Sequence, residues 1–196
     1  VVSSLFMYYQ SAKLNSYLLQ KYSYYIDTII KAAIVIPNIQ VQKTAVQLSE
    51  MRFAFDPSAF DTATNLINNL KYTLQSKIED KKAFGVFYLI TSLFKNNRYV
   101  CENQFKEIIS ALEIFFKDRS AEIYLSFISD LCECLDVHIQ QSGDIIFSIV
   151  FSKNIFLNKI ENCENLSKIM KYLPSKFCPY INEVCFRMAY FCQDCY

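Results

Sequence analysis

A chain of 196 residues with only two glycines and four prolines lacks the residues that hairpin turns of a β-rich fold demand, so its composition predicts an all-α protein with short polar turns. A net charge of +1 excludes a global attraction to nucleic acid or to a membrane surface, and eight cysteines are too few to mark a disulfide-built scaffold. Apolar runs such as 83–94 and 145–152 stop well short of the roughly 20 residues a membrane helix needs, so no membrane insertion is expected.

Period-3.6 apolar patterns run through nearly the whole chain. They predict helices over 3–21, 24–36 and 39–53. The clearest stripe follows: Phe60, Ala63, Leu66, Ile67, Leu70, Leu74 and Ile78, opposite a face of Asp61, Asn65, Asn68, Asn69 and Lys71. Asp56 before Pro57 reads as its N-cap and first helical position. Residues 84–94 are apolar nearly all round, as in a helix covered on several sides. Further helices are predicted over 105–116, 124–135, 145–151, 163–173 and 179–194, ten in all. A single all-helical domain over 1–196 is expected, or a fragment of a longer helical-repeat chain.

Grouped in antiparallel pairs, these helices fall at 1–36, 37–77, 80–118, 119–153 and 154–196. Those lengths resemble the helix pairs of HEAT and armadillo arrays, about 40–47 residues each. The resemblance is carried by spacing and not by motif. It implies an α-solenoid of five pairs, with a compact helical bundle as the alternative.

Sixteen lysines against four arginines, with 17 Phe and 14 Tyr, fit the codon supply of an AT-rich genome, such as that of an intracellular parasite or a large DNA virus. The chain opens on Val1 without a charged segment leading into an apolar one, so an intracellular location, cytoplasmic or nuclear, is expected. Charge is uneven along it. Residues 1–98 carry eleven basic and six acidic side chains, net +5, and residues 99–196 carry nine and thirteen, net −4.

Chemistry-bearing residues are sparse. Cys178, Cys185 and Cys192 lie seven apart, and Cys192 and Cys195 form one Cys-x2-Cys spacing. Structural zinc sites need four convergent ligands, so one knuckle without a second ligand pair predicts no metal, and the cysteines read as small core hydrophobes. His138, the one histidine, follows Cys134 and Asp130 at helical spacing. Neighbours on one straight helix do not converge on a substrate, so a histidine at the core's edge is expected, with no catalytic residue and no cofactor. Lys71, Lys77, Lys81, Lys82, Lys95 and Arg98 form a candidate patch for an anion or an acidic partner, with Asp130, Glu133, Asp136 and Asp144 as an acidic counterpart. Tyr8, Tyr9, Tyr24 and Tyr25 place rings on more than one helical face, as an interface would.

Together these features point to a noncatalytic scaffold or subunit of a larger assembly whose partners are other proteins. Two alternatives remain: a compact helical host-interaction factor of a parasite or virus, and an RNA-binding helical repeat using the basic patch, which the low net charge disfavours.

Overall fold

The computed structural model describes residues 3, 4, 7, 16–55, 59–151, 160–182 and 184–186, among which there is no strand. Nine α-helices stand among them: α1 (Ser16–Ile34), α2 (Ile39–Phe55), α3 (Ala59–Gln75), α4 (Asp80–Asn96), α5 (Arg98–Phe116), α6 (Leu125–Leu135), α7 (Gly143–Phe151), α8 (Ile160–Tyr172) and α9 (Pro174–Phe177). Three 3-10 segments, Glu122–Tyr124, Asp136–Ser142 and Cys178–Tyr180, accompany them, and residues 3, 4, 7, 181, 182 and 184–186 are helical as well. The all-α expectation holds.

Two boundaries differ from the sequence reading. The break expected between 21 and 24 is absent, since α1 runs unbroken through Lys21, Tyr22 and Ser23, none of them a helix breaker, while most of the helix expected over 3–21 lies outside the described residues. The helix expected from 179 is preceded by the short α9, which Pro174 opens at its first turn, where a missing amide costs nothing. The Asp56–Pro57 cap lies outside the described residues.

The chain divides into two compact units, 1–111 and 112–196. In the first, α4 is the central element and packs on α1, α2 and α3. Its buried positions, including Ala83, Val86, Phe87, Leu89, Ile90, Leu93 and Phe94, run round most of its circumference, as the all-round apolar pattern predicts. The α3 stripe is buried from Ala63 through Leu66, Ile67, Leu70 and Leu74 to Ile78. α2 starts at an Asn38 cap, whose side-chain oxygen accepts the amides of Gln40 at 3.0 Å and Val41 at 3.1 Å.

α2 and α4 run parallel. Gln42 near the start of α2 donates to the Lys81 carbonyl near the start of α4 at 2.7 Å, and further along Ser92 of α4 donates to Glu50 of α2 at 2.7 Å. Gly85 lets the two helices and the end of α1 come together, since a Cβ there would lie 2.0 Å from the Ile34 carbonyl oxygen and 2.9 Å from Gln42 Cγ and Cδ.

The second unit repeats the parallel arrangement with α6 and α8. Asn162 at the start of α8 donates to Glu122, just ahead of α6, at 3.5 Å, and Gln140 beyond α6 donates to the Tyr172 carbonyl at the end of α8 at 2.9 Å. Aromatic rings fill the rest. Phe115, Phe116 and Tyr124 meet edge to face at 5.0–5.4 Å, with the Arg119 guanidinium 4.4 Å from the Phe115 ring. Phe147 stacks on Phe151 at 4.6 Å, and both touch the buried Phe177 at 5.2 Å. Lys176 of α9 pairs with Asp144 of α7 at 2.5 Å.

Candidate functional site

α2 buries an unusually polar face while one large apolar side chain at its start stays at the surface. Its buried face carries Gln42, Ala45, Leu48, Ser49 and Arg52, three of them polar, while Ile39 is 57% exposed. Two of the inward polar groups, Gln42 and Arg52, find partners in the neighbouring backbone and in α1, whereas the buried Ser49 hydroxyl has no hydrogen-bond partner among the described residues. The Gln42 amide donates to the Ile36 carbonyl at 2.9 Å as well as to Lys81, and Arg52, 2% exposed, pairs through Nε with Asp27 of α1 at 3.5 Å. At the start of α2, Ile39 and the preceding Ile36 and Pro37 are left at the surface.

There they meet a stripe of α4. Pro37, Ile39 and Gln42 on one side and Lys81, Phe84 and Tyr88 on the other line an open groove of about 390 Å³. Positions 81, 84 and 88 are one face of α4 by helical spacing. Phe84 is half-buried and Tyr88 is exposed, and the adjoining Ile36 is 43% exposed, so the apolar surface extends past the groove itself. Lys81 is the one charged residue of the lining, and it has no ion-pair partner among the described residues.

The six basic residues singled out in the sequence do not form one patch. Lys71 on α3 donates to Glu107 on α5 at 2.8 Å; this hydrogen bond raises the lysine pKa and holds the glutamate below the usual carboxylate range. Lys82 lies 3.5 Å from Glu79. Lys77 and Lys81 are exposed near the start of α4, but Lys95 lies near its other end, about 21 Å away at the helical rise. Arg98 opens α5, and its side chain lies outside the described residues.

The other candidates also separate. Asp130 and Cys134 sit on α6, but His138 falls in the 3-10 segment Asp136–Ser142, whose tighter winding breaks the register a continuous α-helix would have given. Cys178 and Cys185 are exposed, which corrects the reading of them as core hydrophobes; Cys192 and Cys195 lie outside the described residues. Cysteine fills a core position instead at Cys132, where burial first and Cys134 second push the thiol pKa up to about 12. Brief alkylation of the folded protein at pH 8 is therefore expected to modify Cys178 and Cys185 and to spare Cys132, as read by peptide mass spectrometry. Equal labelling of Cys132 would contradict its burial.

Among the described residues no group of three or more His, Cys, Asp or Glu could hold a metal ion, and no helix is long and apolar enough to cross a membrane. Tyr24 and Tyr25 on α1 are exposed, with ring centroids 5.9 Å apart, whereas Tyr8 and Tyr9 lie outside the described residues. The α2 side of the groove is not legible in the sequence, where Ile39 reads only as the start of a helix. The signal available was the run of polar residues, Gln42, Ser49 and Arg52, along the same face as Ala45 and Leu48. No protein-family model, curated protein or solved structure matches this chain.

Proposed function

We propose that this chain is a noncatalytic, protein-binding helical domain of the stacked-pair type, which engages partners through the apolar groove between α2 and α4. The observation that carries the reading is the open apolar groove lined by Pro37, Ile39, Phe84 and Tyr88. A helix that turns Gln42 and Arg52 inward and leaves Ile39 at the surface keeps apolar area in water, and a partner that covers this area gains affinity from its burial. Parallel packing of alternate helices, α2 with α4 and α6 with α8, supports the stacked-pair architecture, since every second helix of an antiparallel array points the same way. The contact of α1 with α4 is the feature that favours the compact-bundle alternative.

Nucleic-acid binding is disfavoured by the pairing of Lys71 and Lys82 with carboxylates and by the separation of Lys81 from Lys95. The test is affinity purification from the native cell with nuclease treatment, followed by reconstitution of the captured pair from purified components. A protein partner is expected to stay bound with little loss as salt rises to about 0.5 M, because apolar burial and not counterion release supplies the affinity. Submicromolar RNA binding by the purified chain, falling steeply with salt, would replace this reading with the RNA-binding one.

A further inference from the structure

We propose that the occupant of the α2–α4 groove is an apolar segment of a partner protein bearing an Asp or Glu that pairs with Lys81. The inference rests on the protein-binding reading above and specifies the partner's chemistry. Three observations select it. First, the lining offers Pro37, Ile39, Phe84 and the ring of Tyr88, while the Gln42 amide is already committed to the Ile36 and Lys81 carbonyls, so the walls reward apolar side chains and not a polar strand.

Second, the one charge in the lining is positive and lies at the end of the groove where the parallel helices α2 and α4 both begin, so the partial positive charges of two helix starts add to Lys81. Lys82, its neighbour, pairs with Glu79, whereas Lys81 has no ion-pair partner among the described residues. A carboxylate entering there meets an exposed cation beside an apolar wall, where a charge pair fixes register and excludes basic partners. Third, the groove is open and continues onto exposed Ile36 and Ile39, which suits a polypeptide lying across the surface. A small molecule would need most of its own surface enclosed.

The experiment is selection from a displayed library of random 12-residue peptides on the purified full chain, run in parallel on Lys81→Glu and Tyr88→Ser, each first shown by thermal melting to be folded. Both side chains are at the surface and neither supplies the Gln42 bonds, which go to backbone oxygens, so folding is expected to survive. The wild-type chain is expected to enrich peptides with spaced apolar residues and an acidic residue at a fixed offset from them. Lys81→Glu is expected to replace that acidic residue with Lys or Arg and keep the apolar positions. Tyr88→Ser is expected to weaken the selected peptides by at least about tenfold.

No enrichment, enrichment without an acidic preference, or binding indifferent to both substitutions would overturn the proposal. Protein binding itself fails separately: it falls if no protein partner survives nuclease treatment, whereas a captured partner that binds Lys81→Glu and Tyr88→Ser as tightly as wild type leaves protein binding standing and removes the groove as its site.

Discussion

Gly85→Ala is expected to destabilise the protein strongly, although the same change in an ordinary exposed helix would stabilise it by about 1 kcal/mol. The sign reverses because the added Cβ would stand 2.0 Å from the Ile34 backbone oxygen, and backbone at the end of α1 cannot rotate away as a side chain can. Relief requires α4 to withdraw from α1 and α2. That movement pulls the Lys81 carbonyl from the Gln42 amide, which is buried and then under-bonded. Overpacking of this kind costs about 1–3 kcal/mol and the loss of one of the two bonds of a buried amide adds about 1 kcal/mol, so the loss is expected to be about 2–4 kcal/mol.

Gly143→Ala is the internal control. Its Cβ would meet Leu173 Cδ2 at 3.1 Å and, at 3.5 Å, Cγ and Cε of the flexible Lys176, all side-chain atoms and no backbone, and the change in stability is expected to stay within about 1 kcal/mol. Urea unfolding of the two variants beside wild type measures both. A stable Gly85→Ala protein would mean that α4 does not approach the end of α1 so closely.

Arg52→Ala carries the second large effect. The guanidinium is 2% exposed and its partner Asp27 is 15% exposed, so removal of the cation leaves a carboxylate in the interior and a cavity beside it. Breaking such a pair from one side costs about 3–5 kcal/mol. Replacing both members, Arg52→Met with Asp27→Leu, is expected to recover most of that loss, because a buried ion pair gains little over well-packed apolar groups of similar size. The double-mutant cycle, read by urea unfolding, separates the pair from its surroundings. If Arg52→Ala unfolds at the wild-type midpoint, α1 and α2 are not joined through this pair.

These two residues also mark the limit of what the amino-acid order reveals. α3 and α4 are legible because their apolar spacing is the burial pattern itself, and Leu66, Leu70, Leu74, Phe87, Ile90 and Phe94 are buried. α2 is not legible in this way. Its inward face mixes Ala45 and Leu48 with Gln42, Ser49 and Arg52; the burial of Gln42 and Arg52 is tolerable because carbonyls of other elements and Asp27 lie opposite, and long-range partners of this kind leave no periodic trace. The basic cluster fails for the complementary reason. Lys81 and Lys95 are near in sequence, but an extended helix carries them to opposite ends. Gly85, conspicuous as one of two glycines, is the position where sequence alone points to a close approach, without saying to what.

The central claim is that a protein occupies the groove beside Tyr88. It is tested most directly by placing the photo-crosslinking residue p-benzoylphenylalanine at position 88 in the native cell and irradiating, with exposed Ser110 as the control position. A discrete, nuclease-resistant protein adduct from position 88, absent from position 110 and lost on Lys81→Glu, is the result expected. An adduct that nuclease removes, or the same adducts from both positions, would contradict a protein-filled groove.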